Sequence, residues 1–315
     1  MRVLLLLLLV LLTACAPRVT PPAAHTPPLN LAGPPPDVVI LSVSGRCGPP
    51  CQAPRDNVDY LSGRGTLDAV ASVFTARGLS VQASGYASHP ARQFRSPFVG
   101  ADQRGYAALQ DDLNAIKPWL RGPHPPRLVL LGHSQGAVWL HHLTRVNPDV
   151  TFDVQLDLDA ICVGWRSDFQ ALLRAHDQTP SLLEACESIQ VNGARRNIKD
   201  VVWPNVTVNL EVQSKRYPAR SASGGLPVNY VFDPFGNTRL DGTRQGLRLF
   251  VSPREDHSAI TSPRGDALAW VSARLTQVVQ SWTPAHSIRP AQSTQPAQST
   301  QPAPSTRPAL PPANP

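Results

Sequence analysis

Residues 127–143 read RLVLLGHSQGAVWLHHL. From Leu128 to Leu131 the side chains are continuously apolar, as in a strand buried on both faces. From Ala137 to Leu143 the pattern is helical. Between them Gly132-His133-Ser134-Gln135-Gly136 leaves room only for a very tight turn, with glycines two before and two after the serine so that the strand and helix backbones can cross. A serine at such an apex stands clear of the sheet, and the following helix aims its positive N-terminal end at any negative charge that develops there. Gly-x-Ser-x-Gly alone is a common pattern. Its place between a buried strand and a helix is what makes Ser134 a candidate nucleophile.

Strands and helices alternate on both sides of this turn. DVVILSVSG (37–45) is a β-branched and apolar run suited to a first buried strand. Thr66 is placed to cap a helix whose Leu67, Val70, Val73 and Phe74 share a face, and Gly78 stands where a C-terminal cap belongs. LSVQASGYA (79–87) reads as the second strand, Tyr106, Leu109, Leu113 and Ile116 mark a helix stopped near Pro118, and RLVLLGHS is the third strand. VTFDVQLDLDAICVGW (150–165), NVTVNLEVQ (205–213) and GLRLFVSP (246–253) supply the fourth to sixth strands, and DALAWVSARLTQVVQSW (266–282) a closing helix. This alternation predicts an α/β domain with a mainly parallel sheet and helices on both faces. Trp165, Phe169, Leu172, Leu182 and Leu183 suit either the apolar underside of a small cap within 165–200 or ordinary core packing.

Outside the domain the composition changes. Arg2 precedes an apolar run from Val3 to Leu12, shorter than the about 20 residues that cross a bilayer as a helix, but suited to the core of a signal peptide over residues 1–14. Leu12-Thr13-Ala14-Cys15 resembles a bacterial lipobox. That resemblance implies cleavage before Cys15, lipid on Cys15 and, with Ala16 in place of Asp, export from the inner membrane. Several acyl chains on one residue anchor firmly where a single chain binds only marginally. The protein is therefore expected in the cell envelope, held to a membrane by lipid and facing the periplasm or exterior. Residues 15–36 are rich in Pro and Ala and residues 284–315 repeat PAQST, so neither buries enough apolar surface to offset the entropy of ordering. They read as a tether and a disordered tail around a domain at 37–283, whose roughly 245 residues suffice for one sizeable core.

Setting Cys15 aside leaves Cys47, Cys51, Cys162 and Cys186, an even number for an oxidising compartment. Three pairings are open, the nearest in sequence joining Cys47 to Cys51 and leaving Cys162 for Cys186; buried reduced thiols are the alternative. No histidine stands at ligand spacing from a cysteine pair, so no metal is expected, and CGPPC is one residue too long for a CxxC redox motif. No cofactor is called for. A formal net charge of +7 favours an anionic lipid or wall surface. Scattered basic residues without an aromatic-interleaved stripe argue against nucleic acid.

Over roughly residues 37–282, the order of elements around GHSQG resembles the α/β-hydrolase superfamily, and Ser-Gln in the elbow is similar to cutinases and small secreted lipases. The resemblance implies a three-layer sandwich. The family's usual first two strands have no sequence to form them before Asp37, so the sheet should be reduced. An oxyanion hole is implied at the backbone N–H of Gln135, with a second donor in Ser44-Gly45-Arg46, assigned to Arg46, although no His-Gly-Gly-Gly motif is present.

The superfamily places its catalytic histidine after the last strand, where His257 lies in SPREDHSAIT (252–261). His133, His141 and His142 flank the elbow, where packing or exposure is the expected role. His25 and His286 fall outside the domain, and His89 and His176 are loop or cap candidates. For the acid, Asp159 in QLDLDA resembles the Leu-Asp-Pro-Ala site of lipases that carry their acid after this strand. Asp157 lies two residues deeper, Asp233 in VFDPFGN is the rival before the last strand, and Glu211 and Asp256 stand behind both. The expected chemistry is hydrolysis of an acyl-ester small molecule or lipid through an acyl-enzyme on Ser134. Two alternatives stand beside it: an acyltransferase acting on envelope glycan or lipid, and a non-catalytic hydrolase-fold envelope lipoprotein.

Overall fold

The apolar runs become six strands: β1 (Val38–Val43), β2 (Val81–Tyr86), β3 (Arg127–His133), β4 (Phe152–Leu158), β5 (Val206–Ser214) and β6 (Leu247–Ser252). They lie in the order β6-β5-β4-β3-β1-β2, and every neighbouring pair is parallel. The computed structural model describes residues 27–48, 50–174, 181–214 and 235–282. The expected signal peptide and Cys15, the expected tail, and Asp233, His25, His176 and His286 lie outside these residues.

Helices cover both faces, which is why β1 and β3 carry near-continuous apolar runs, Val38–Leu41 and Leu128–Leu131, rather than alternating. They are α1 (Tyr60–Gly63), α2 (Thr66–Thr75), α3 (Tyr106–Leu120), α4 (Gln135–Val146), α5 (Trp165–Leu173) and α6 (Asp266–Ser281). Val38 and Ile40 pack with Leu67, Phe74, Val271 and Leu275 of α2 and α6. Val39 and Leu41, pointing to the opposite side of the pleat, pack with Leu109, Leu113 and Trp139 of α3 and α4. The result is a three-layer α/β sandwich with a reduced, parallel sheet. From β1 the chain steps outward to β2, then returns across β1 to β3 and continues the other way. The strand order therefore reverses beside the C-terminal ends of β1 and β3, the crevice where open α/β sheets bind ligands.

Several local expectations change. Thr66 does not cap α2; Gly65 does so at φ 77°, and the Thr66 hydroxyl donates to Thr261 O at 2.6 Å, tying α2 to the loop after β6. α3 runs through Pro118 to Leu120, two residues past the expected stop. Trp165 and Phe169 are buried with their rings 4.8 and 5.0 Å from Trp139, so they serve the core on α4. The Pro-rich segment also joins the domain at its end: Leu29 is buried, and Asn30 N donates to Gln82 Oε1 at 2.8 Å on the edge strand β2. Disulfides join Cys47 to Cys51 and Cys162 to Cys186. A hairpin not among the expectations from sequence pairs Ser188–Val191 with Ala194–Asn197 and turns on Asn192-Gly193, both at positive φ, the preferred two-residue hairpin turn.

Candidate active site

Ser134 sits between β3 and α4 at φ 59° and ψ −130°, a conformation few side chains tolerate. Such strain amounts to about 1–3 kcal/mol and persists only where surroundings enforce it. Here they do. A Cβ on Gly136 would come within 1.9 Å of the Val43 carbonyl oxygen, and one on Gly132 within 2.5 Å of Ala137 Cα. Ser134 N is drawn to Leu158 O of β4 at 2.9 Å.

At the neighbouring strand end, Asp159 also has positive φ, 52°, as the chain turns out of β4. Ser214, ending β5, donates its backbone N–H to Asp159 Oδ1 at 2.8 Å and its hydroxyl to Oδ2. His257, after β6, places Nδ1 2.9 Å from the same Oδ2. Since a carboxylate only accepts, Nδ1 carries the proton, and in the neutral ring that tautomer leaves Nε2 the lone pair of a base. Asp159 is wholly buried, whereas the His257 side chain is 18% exposed. The His257 ring lies 4.6 Å from that of His133, the residue before the serine, so nucleophile candidate and base candidate share one end of the sheet.

The other carboxylates are engaged elsewhere. Asp157 accepts from His141 Nε2 at 2.9 Å, Asn209 at 2.6 Å and Asn237 at 2.9 Å, entirely within the core. Burial disfavours the His141 cation, but the facing Asp157 outweighs that and raises its pKa. Glu211 accepts from Asn237 N at 2.7 Å and Gln213 at 2.6 Å, and burial pushes its carboxyl up to about 7. Asp256 Oδ1 accepts from the Ser258 and Ala259 amides at 2.9 and 2.8 Å, shaping the loop that presents His257. His89 stacks on Phe94 at 3.9 Å, and burial lowers its pKa to about 4.

The loop after β1 passes directly over the serine: a Cβ on Gly45 would lie 2.4 Å from Ser134 Cβ. The Gly45 amide donates to Tyr60 Oη at 2.8 Å. Among the described residues, nothing accepts from the amides of Arg46 and Gln135. Their side chains meet at one carboxylate, Asp168 of α5. Arg46 Nε reaches Asp168 Oδ2 at 2.8 Å and Gln135 Nε2 reaches it at 3.1 Å, while Gln135 also donates to Val163 O at 2.9 Å and accepts from Ser88 at 3.2 Å. Ser214 and Tyr60, both prominent here, carry no local signal in the sequence. Among the described residues there is no cluster of three His, Cys, Asp or Glu able to hold a metal, and no helix long and apolar enough to cross a membrane.

The architecture is α/β-hydrolase-like. No family model and no curated protein sequence matches the chain. Solved structures are similar in outline. An esterase domain from Rhodothermus marinus is 16% identical, with TM-score 0.35, over 77% of this chain and 85% of its own. An α/β serine hydrolase without a lid from Xanthomonas campestris is 14% identical, with TM-score 0.35, over 80% and 87%. A member of a metagenome-derived pair of lipolytic enzymes is 15% identical, with TM-score 0.39, over 81% and 100%. The strand order and the elbow carry the fold assignment independently of these likenesses.

Proposed function

We propose that this chain is a serine hydrolase of carboxylic esters, held to an envelope membrane by lipid on Cys15. The observation that carries the catalytic reading is the 2.9 Å contact of His257 Nδ1 with buried Asp159, beside a serine held at φ 59° on a helix N-terminus. His257 Nε2 takes the Ser134 proton as Oγ attacks the ester carbonyl. The Gln135 and Arg46 amides, for which no acceptor stands among the described residues, are the donors assigned to the oxyanion that forms. The protonated imidazole then gives its proton to the leaving alkoxide. Water, deprotonated by the same nitrogen, attacks the acyl-enzyme and releases the acid and Ser134. Asp159 keeps the imidazole tautomer and stabilises its cation.

The test uses p-nitrophenyl butyrate turnover and fluorophosphonate labelling of the full chain. Wild type should show both, and Ser134→Ala should lose labelling and at least about 10⁴-fold in kcat with its melting temperature preserved. A folded Ser134→Ala protein that still turns over the ester sinks the proposal.

A further inference from the structure

His133 is 3% exposed and plays no part in the proton transfers above, yet both of its ring nitrogens are engaged. Nε2 lies 2.7 Å from the backbone carbonyl of His257, and Nδ1 meets the hydroxyl of Tyr60. A carbonyl oxygen only accepts, so Nε2 carries a proton. Burial holds His133 well below the usual histidine range, with nearby His257 and Arg64 adding to the effect, so the ring is neutral and Nδ1 accepts. Tyr60 must then donate to Nδ1, and its oxygen accepts from the Gly45 amide at 2.8 Å. One continuous chain of donors thus runs from Gly45 to Tyr60, to His133, to the main chain of His257.

Each end of this chain belongs to a different part of the candidate machinery. Gly45 immediately precedes the Arg46 amide, and the far carbonyl belongs to the base itself. Tyr60 is braced as a support would be: Asp59, capping α1, accepts from Ser44 Oγ at 3.0 Å, and Ser44 Oγ accepts from Leu61 N at 2.9 Å. Arg64, one turn on, donates to Thr261 Oγ1 at 2.9 Å across the loop that carries His257. A Phe and a Leu in place of Tyr60 and His133 would fill similar space but leave the Gly45 N–H and the His257 carbonyl without the partners that the three side-chain groups supply.

We infer that Tyr60 and His133 are positioning residues that hold the oxyanion loop and the His257 loop in one fixed relation about Ser134. The inference rests on the acyl-transfer reading of that serine. Neither side chain is needed to contact substrate, so their loss should slow chemistry and leave binding alone. Displacement of a catalytic group by about 1 Å costs on the order of 10²-fold in rate.

The experiment measures kcat and KM on p-nitrophenyl butyrate, with melting temperatures, for full-length wild type, Ser134→Ala, Tyr60→Phe, His133→Leu, His133→Gln and the Tyr60→Phe/His133→Leu double variant. Tyr60→Phe and His133→Leu should each lower kcat about 10²-fold with KM within about twofold. His133→Gln, whose amide can still donate to the His257 carbonyl, should recover most of the rate. The double variant should be no slower than His133→Leu, because both changes break one chain. Tyr60→Phe removes a single oxygen and decides the matter alone if His133→Leu fails to fold. Wild-type kcat in Tyr60→Phe, no recovery in His133→Gln, or fully additive losses overturn the positioning role while Ser134→Ala stays inactive. An active Ser134→Ala brings down the acyl-transfer reading and this inference with it.

Discussion

Asp157 and Asp159 are two residues apart on one strand end, both wholly buried and both paired with a histidine at 2.9 Å. Only Asp159 faces a histidine that is partly exposed and beside Ser134. Asp159→Asn should therefore lower kcat by about 10⁴-fold, because an amide can hold the wrong imidazole tautomer. Ser214 already donates to both carboxylate oxygens, so the amide N–H₂ would also oppose a donor. Asp157→Asn should instead leave kcat near wild type and lower unfolding free energy by about 3 kcal/mol, by breaking a buried pair. Ester kinetics and urea denaturation on both variants check this; a crippled Asp157→Asn beside a normal Asp159→Asn reverses the assignment.

Between β4, β5 and α4 lies a layer of buried polar groups: Gln155, Asp157, His141, Asn209 and Glu211. Its pH response is set in part by Glu211. Below pH 4.5 its carboxyl is protonated in both folded and unfolded chains and nothing is lost. As pH rises, the unfolded chain ionises from 4.5, whereas the folded carboxyl, desolvated by burial, holds its proton to about 7. The folded state loses stability across that window and no more above it. Between pH 5 and pH 8 the unfolding free energy of wild type should therefore fall by about 2 kcal/mol more than that of Glu211→Gln. His89 and His142, with pKa lowered to about 4 by burial, pull the other way below 6.5, but equally in both proteins. Urea melts at the two pH values measure the difference, and parallel pH dependence in the two proteins counts against it.

Across the chain as a whole, the links that hold the outer segments are long-range. The Cys162–Cys186 disulfide closes 24 residues around α5, worth about 3 kcal/mol in the chain-entropy account. At the other end, packing begins near Leu29 along β2. A lipid on Cys15 would leave residues 16–26 to span from membrane to domain, at most about 40 Å when fully extended. Cys15→Ser should abolish incorporation of radiolabelled palmitate in a bacterial host and leave esterase activity intact. Palmitate labelling that survives the substitution excludes the anchor proposed at that residue.

The alternation of strands and helices and the elbow at Ser134 were both legible locally. A parallel strand covered on both faces favours a near-continuous apolar run, as β1 and β3 have at Val38–Leu41 and Leu128–Leu131, and a backbone crossing that leaves 1.9 Å for a Cβ admits only glycine at Gly136. His257 stood out as the candidate base by its order in the chain. Which carboxylate meets His257 was not legible, because Asp159 is held there by Ser214, 55 residues away on β5, and by a turn at φ 52° that no neighbouring residue announces. The same holds for His133 and Tyr60, 73 residues apart, and for Trp165 and Phe169, which suited a cap as well as a core until α4 brought Trp139 against them. Periodicity and steric exclusion act between residues close in the chain, so the sequence determined the six strands of the main sheet, the longer helices and the tight turn at Ser134. Hydrogen-bond partnership inside a dry core is decided by whichever distant segments the sheet order brings together, and only the tertiary structure chose those.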